Sequence, residues 1–239
     1  MRILFLDCIS GISGDMFLGA MVGAGLDFQQ LKSELGKLGL DGYDLQVRKV
    51  NKKGLPATKL DVVMTEGTNQ SHSHRKYSDI VKIIQRSPLG RQVKDDSLGI
   101  FELIGKAEAK IHAVPLNDVE FHEIGAIDSI VDIAGAAIAV NSMNISEIFS
   151  SPLNIGGGKA IFHGKEFDIP SPAARELLKG IPTYSMGSGE MVTPTGAAIV
   201  RHYCKSWLKP EFNRIGEGFG AGSKDFEQPN VLHVLIGEK

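Results

Sequence analysis

The chain has little cysteine, no long apolar run and no excess of positive charge. Its two cysteines, Cys8 and Cys204, form neither a C-x-x-C motif nor a disulfide framework. Two reduced thiols in a cytoplasmic protein are therefore expected. No apolar run approaches the roughly 18–20 residues that cross a bilayer, which excludes a membrane-spanning helix. A formal net charge of -2 argues against non-specific nucleic-acid binding, which draws on a basic surface. No repeat of solenoid period is present. The opening residues, MRILFLDCISG, contain one Arg and a short apolar run that flows into a glycine turn. They read as a buried first strand and not as a signal peptide.

What remains is an ordinary globular composition. The chain has 239 residues, 42% hydrophobic and 23% charged, enough for one domain or two closely packed ones. Arg2 to Asp7 reads as a buried strand. Ser10 to Met16 is a turn opening a helix to about Ala24. Asp27 with Gln30 forms a capping-box pattern for a second helix stopped at Gly39. Tyr43 to Val50 and Thr58 to Met64 alternate as strands, with Leu45, Val47, Leu60 and Val62 on one side and Asn51 to Pro56 as the connection. Residues 65–76 are polar and aperiodic, hence a linker. Ser78 is expected to cap a short helix ending before Pro88. Val93 to Ala113 is expected to form a longer helix halted by Pro115, and Val119 to Glu123 a short extended piece. Asp128 to about Met143 is apolar on nearly all faces and therefore a buried helix, with Gly135, Ala136, Ala137 and Ala139 allowing another backbone close.

The last third returns to strands, expected at Glu147–Ser151, Lys159–His163 and Glu166–Ile169 and interrupted by Gly156-Gly157-Gly158. Ser171-Pro172 and Thr193-Pro194 each read as a helix start, the second helix running to about Trp207. A glycine-rich stretch, Gly216 to Gly222, precedes a final strand at Asn230–Ile236. The expected architecture is α+β: a mixed sheet with the first and last strands central and a helical middle segment packed on one side. An α/β fold with a partly parallel sheet is the alternative. The organisation divides into an N-terminal unit (1–64), the linker (65–76) and the remainder (77–239), packed as one body.

The chemistry concentrates in Phe121 to Asp132, FHEIGAIDSIVD. An imidazole (His122) and three carboxylates (Glu123, Asp128, Asp132) lie within twelve residues that are otherwise apolar or small. Buried charges are costly unless they are paired or bind a metal. The segment is either a metal or substrate site at the start of a buried helix, or a satisfied polar knot of helix cap and hydrogen-bonded histidine. Three turns offer backbone N–H groups to an anion: Ser10–Asp15, Gly187–Thr195 and Asn154–Gly156. None matches a Walker or dinucleotide fingerprint. Asp7 and Asp15 bracket the first turn, where carboxylates resist a bare phosphate but can hold a divalent cation carried with one. His72 and His74 sit two apart in the linker, so an extended chain would point both imidazoles to one side, toward a shared borderline metal or simply toward solvent. His112 reads as a helix-dipole partner. His163, His202 and His233 read as structural, and Cys8 as a buried inert thiol.

Five segments occur together in an order that points to one family: DCISGISGDMFLGAM (Asp7–Met21), FHEIGAIDSIVDIAGAAIA (Phe121–Ala139), IPSPAARELLKGIP (Ile169–Pro182), MVTPTGAA (Met191–Ala198) and GFGAGSKD (Gly218–Asp225). The chain resembles the nickel insertion proteins of nickel-pincer nucleotide biosynthesis, the LarC family, from Met1 to Lys239. The resemblance implies delivery of nickel into a pyridinium mononucleotide carrying two thiocarboxylate groups. The product has nickel bound to carbon and sulfur and serves lactate racemase and related enzymes. The implied reaction consumes CTP with Mg or Mn. CTP binding belongs to a C-terminal domain that this chain, ending at Lys239, is expected to lack; in some members the two parts are separate reading frames joined by frameshifting. Implied partners are that C-terminal part, an apo lactate racemase-type enzyme and a second copy in a homo-oligomer. Many relatives have a longer run of linker histidines, and read HFHE where this chain has Glu120-Phe121-His122-Glu123.

On this resemblance the expected nickel ligands are His72, His74, His122 and Glu123. The expected substrate contacts are Ser10, Gly11, Ser13, Gly14, Thr193 and Thr195, and the reacting carboxylates Asp7, Asp15 and Asp128, the last orienting the imidazole or capping the buried helix. Two alternatives stand beside it: a nickel chaperone that passes the metal without catalysis, and a nucleotide-dependent transferase built on the glycine turns. The paired linker imidazoles generate a first prediction. Replacing His72 and His74 together with Ala lowers nickel stoichiometry or affinity in isothermal titration. It changes stability by less than about 0.5 kcal/mol, as exposed substitutions do. An unchanged titration removes the pair from nickel uptake.

Overall fold

The structure, a computed structural model, describes residues 1–65, 75–121, 126–162 and 165–239. The apolar run after Met1 forms β1 (Arg2–Asp7) and leads through the glycine turn into α1 (Gly14–Gly23). The Asp27 carboxylate accepts from the Gln29 and Gln30 amides and starts α2 (Phe28–Gly36). Two long strands follow, β2 (Tyr43–Lys52) and β3 (Leu55–Met64). Their connection is tighter than the six residues expected. Lys53 and Gly54 both take positive φ, and the Gly54 amide donates to the Asn51 side chain, so the strands extend through Asn51 and Pro56.

After the linker, β4 (Arg75–Lys76) leads into α3 (Tyr77–Arg86), then α4 (Arg91–His112), a short turn of helix at Leu116–Asp118, β5 (Glu120–Phe121) and α5 (Ile127–Ser142). Helix α3 begins one residue before Ser78, so Ser78 is not its cap; β4 pairs antiparallel with β5, and this pairing sets the start. The end of the expected linker is thus a strand. The last third contains β6 (Glu147–Ser150), β7 (Leu153–Asn154), β8 (Gly156–Gly157), β9 (Lys159–Phe162), β10 (Lys165–Asp168) and α6 (Pro172–Leu177). It continues with β11 (Thr183–Tyr184), β12 (Gly189–Glu190), α7 (Pro194–Tyr203), β13 (Asn213–Ala221) and β14 (Val231–Glu238). Helix α7 stops at Tyr203, short of Trp207, because Cys204 leaves the helix to bridge to Ile148 beside β6.

The main sheet has the order β2-β3-β13-β14-β1-β6, with β1/β6 and β3/β13 parallel and the other pairs antiparallel. It is the mixed sheet of an α+β fold. The last strand, β14, is interior to it, with β1 beside it, one strand in from the edge. The glycine-rich stretch expected only to precede the last strand is itself the strand β13. Its glycines serve contact with a helix. A side chain on Gly218 would overlap the Ala20 carbonyl, and one on Gly220 the Met16 carbonyl. Gly19 of α1 likewise faces the Thr58 carbonyl of β3. Helix and strand backbones therefore touch directly. On its other side α1 packs against α5, where Gly135 receives Leu18. Helix α5 is buried nearly all round. Among the described residues no helix is long and apolar enough to cross a membrane.

This contact generates a second prediction. Gly220→Ala destabilises the protein by about 3 kcal/mol, because helix and strand must separate. Gly36→Ala, at the open end of α2, leaves stability within about 1 kcal/mol of the parent, on the stabilising side. Urea unfolding of the two variants checks the contrast.

Candidate functional site

The two glycine turns separated by almost the whole chain lie side by side. Ile12 and Val192 form a parallel bridge, the Ile12 amide donates to the Met191 carbonyl at 2.9 Å and the Thr193 amide to the Ile12 carbonyl at 3.2 Å. Gly11 takes φ +76° with the Met191 carbonyl where a side chain would be, and Gly196 faces the Ile12 carbonyl in the same way. The starts of α1 and α7 are thereby locked together, and the start of α5 joins them: Gly14 has no side chain, and the Asp132 carboxylate occupies that space.

Beside these three helix starts is an open cleft of about 400 Å³. Its walls carry Ser13, Asp15, Lys59, Asp61, Asp128, Ser129, Asp132, Glu190, Thr193, Thr195 and Ser223. Of the substrate and carboxylate residues expected from sequence, the cleft collects Ser13, Asp15, Asp128, Thr193 and Thr195. Gly14 stands behind the wall. Ser10 and Gly11 hold the turn: the Ser10 hydroxyl donates to the Pro229 carbonyl at 2.7 Å and the Gly11 amide to the Cys8 carbonyl at 2.9 Å. The Gly11 and Ile12 amides are therefore engaged within the fold. Asp7 ends β1 opposite His233 and does not line the cleft. Buried Asn154 accepts from the Gly156 and Met186 amides and donates to the Ile9 carbonyl, so the third turn is internally satisfied. His72, His74, His122 and Glu123 lie outside the described residues, as does His163.

Electrostatically the cleft is built around Lys59. Its buried ammonium pairs with Asp15, and with Asp61 at 3.4 Å. Asp15 also accepts from the Ser13 hydroxyl, and from that of Ser223 at 3.4 Å. Asp61 is held in addition by Arg48 at 3.2 Å. Asp15 is thus engaged by an ammonium and two hydroxyls and is not a free cation ligand. Glu190 accepts from the Ser171 amide at 2.9 Å. Thr193 caps α7 by accepting from the Gly196 amide, and its hydroxyl meets that of Thr195 at 2.8 Å. Asp128 is exposed at the rim, its carboxylate accepting from the Ser129 amide.

Asp132 is different. The residue is part-exposed at the cleft, but its Oδ1 is shut from solvent and has no hydrogen-bond partner. Burial pushes its pKa well above the carboxylate range, and the charges of Asp15 and Asp128 push it further; Lys59 and the Asp15 amide oppose this only in part. Among the described residues no group of three His, Cys, Asp or Glu is placed to hold a metal ion.

The other singled-out residues are structural. Burial pushes the Cys8 thiol up to about 12, so no thiolate forms there. His202 meets Asp96 at 3.0 Å across α4 and α7; His233 stacks on Phe219 and meets Glu217. Lys59, Asp61, Glu190 and Ser223 were missed from sequence. Lys59 and Asp61 left a trace, as two charges in the mostly apolar run of β3. Asp132 was visible as a carboxylate in an apolar helix, but without its neighbours it had no role.

The comparisons with known proteins agree with one another. Residues 4–239 match the family described as "Nickel insertion protein". The chain is 47% identical over 248 positions to the "Pyridinium-3,5-bisthiocarboxylic acid mononucleotide nickel insertion protein" of Geobacillus kaustophilus. It is 48% identical over 242 positions to the protein of that name in Desulfitobacterium hafniense (strain DSM 10664 / DCB-2). A "Putative nickel insertion protein" of Dictyoglomus thermophilum is 41% identical over 240 positions. Each alignment covers all of this chain but only 60%, 59% and 61% of the respective relative. No solved structure matches the chain.

The orphaned carboxyl generates a third prediction. Below a pH of about 4 both folded and unfolded chains hold the Asp132 proton. Above it the unfolded chain releases the proton freely while the folded chain resists, so folding loses stability as pH rises toward the raised folded pKa. Asp132→Asn is therefore expected to melt above the parent at pH 8, with the gap closing as pH falls to about 4. Melting curves at the two pH values check this; a variant less stable at pH 8 contradicts it.

Proposed function

Because the chain belongs to the nickel insertion protein family, we propose that it takes part in placing nickel into pyridinium-3,5-bisthiocarboxylic acid mononucleotide, and that the cleft at the three helix starts holds that mononucleotide. The observation that carries this reading is the mixed lining. Hydroxyls of Ser13, Thr193 and Thr195 stand at helix N-termini, which favour a phosphate, and that of Ser223, just after β13, joins them. Asp61, Asp128, Asp132 and Glu190 face the same space and favour positive charge. A ligand with an anionic phosphate at one end and a cationic ring at the other suits both walls. The phosphate lies toward Thr193 and Thr195, and the pyridinium toward Asp128 and Asp132.

Nickel enters as a substrate. Its proposed ligands are His72, His74, His122 and Glu123, whose imidazole and carboxylate donors suit a borderline divalent metal. Asp7, outside the cleft, is not needed by this reading. CTP with Mg or Mn is assigned to the two fifths of the relatives that this chain does not span. The product would serve lactate racemase-type enzymes, and the work would take place in the cytoplasm.

The reading is tested by equilibrium binding of the mononucleotide. Ser13→Ala combined with Thr195→Val is expected to weaken binding about tenfold, the loss of one charge-assisted hydrogen bond. The Thr193 cap on α7 remains in this variant, so melting shifts by no more than about 2 °C. Binding equal to the parent's in the folded double variant removes the mononucleotide from the cleft.

A further inference from the structure

Asp132 is a costly residue to keep. It lies in the second turn of a helix buried nearly all round, and two further carboxylates approach it. Its Oδ1 is closed off and without a partner. The nearest cation, Lys59, is already held by Asp15 and Asp61. A carboxyl kept for stability would have a partner, since buried polar groups almost always do. Space has also been left for it, because any side chain at residue 14 would displace it. The Asp15 amide donates to the same carboxyl and anchors it against the start of α1. The residue as a whole remains part-exposed at the edge of the cleft, where a ligand can meet it.

The chemistry of the mononucleotide says what. Thiocarboxylates at ring positions 3 and 5 flank position 4. A metal held by both sulfurs lies in the ring plane against C4. That carbon carries a hydrogen, so the metal can bond to it only if the C4–H bond breaks. The electron pair of that bond becomes the nickel–carbon bond, and the hydrogen leaves as a proton. Nickel stays divalent and nothing is oxidised or reduced. The step balances with one further participant, a base to take the proton.

We propose that Asp132 is that base, its carboxylate accepting the C4 proton as nickel bonds to the ring carbon. This rests on the reading of the cleft as the mononucleotide site. Asp15 from α1, Asp128 from α5 and Lys59 from β3 face the carboxyl, and Asp61 and Glu190 line the further walls. In the free cleft, burial and the two neighbouring carboxylates shift Asp132 toward its protonated form. A cationic ring and a divalent metal arriving beside it stabilise the ionised form. The carboxylate thus appears with its substrate, and a basicity above that of an exposed aspartate favours proton transfer near neutral pH.

The test uses the complete protein, with the C-terminal part present, together with the mononucleotide and nickel. Asp132→Asn is expected to bind the mononucleotide more weakly than the parent but still to be saturable, and at saturating mononucleotide and nickel to insert nickel at least ~100-fold more slowly, the range lost with a general base. Asp132→Glu restores part of the rate with a displaced pH profile. Deuterium at C4 slows the parent. Insertion by Asp132→Asn at the parent rate overturns the proposal, as does a loss of mononucleotide binding that accounts for the loss of rate. If the Asn variant fails to fold, Asp132→Glu carries the test, and an unchanged rate and pH profile overturns the proposal. The Ser13→Ala, Thr195→Val variant is measured alongside. If it binds the mononucleotide as the parent does, the cleft reading falls and takes the proposal with it. If its binding is weakened while Asp132→Asn inserts normally, only the proton role fails.

Discussion

The structure depends on the direct contact between the backbone of α1 and the strands beneath it. Gly218 and Gly220 on β13, and Gly19 on the helix, remove the side chains that would hold helix and sheet apart. The usual spacing of a helix on a sheet is set by interdigitating side chains; here the Ala20 and Met16 carbonyls rest on strand glycines. This closeness brings the Asp15 carboxylate at the start of α1 within reach of Lys59 on β3 and Ser223 just after β13. A helix held a side chain farther out could not make these contacts. Glycine recurs where other backbones meet, Gly11 against Met191 and Gly196 against Ile12, and where a side chain needs room, Gly14 beside the Asp132 carboxylate. The cleft is thus a consequence of close packing and not an addition to it.

The charges follow from the same closeness. Lys59 is buried, and a buried ammonium without partners would be strongly destabilising. Asp15 and Asp61 satisfy it, and Ser13, Ser223 and Arg48 satisfy them in turn. That network is complete without Asp132. Three helix N-termini add partial positive charge, which moderates the repulsion among the carboxylates. The result is a cleft with one wall of hydroxyls and one wall of carboxylates. A simple phosphate site lacks the second wall, and a simple metal site lacks the first.

Much of the fold was legible in the sequence because local rules governed it. The alternation of Leu45, Val47, Leu60 and Val62 gave β2 and β3, and their register pairs Leu45 with Val62 and Val47 with Leu60. Asp27, Pro172 and Pro194 marked helix starts through capping and fixed φ. The failures have physical causes. The stretch Gly216–Gly222 was given no element because glycine has poor strand propensity, yet most of it lies in β13; its glycines serve the helix lying on them, which propensity cannot register. The tight Lys53-Gly54 turn was hidden by Pro56, which is tolerated within β3. Helix α3 begins one residue before Ser78 because strand pairing, not a side-chain cap, sets its start.

The sequence by itself determined the elements, the burial of α5, the carboxylates within it and the family. These depend on local spacing and on motifs whose residues are neighbours in the chain. It marked the Ser10–Asp15 and Gly187–Thr195 turns as helix starts with exposed donors. Tertiary structure decided that these turns are one site: they are separated by some 170 residues, and only the Ile12–Val192 bridge and the missing side chains of Gly11 and Gly196 join them. It also decided that Ser10 and Gly11 brace the turn, that Lys59 holds Asp15, and that one oxygen of Asp132 stands without a partner. Whether a carboxylate is a cap, an ion-pair partner or an unsatisfied acid depends on which groups lie within a few ångströms of it. In this protein those groups come from several elements: Lys59 from β3, Ser13 from the start of α1 and Ser223 from just after β13.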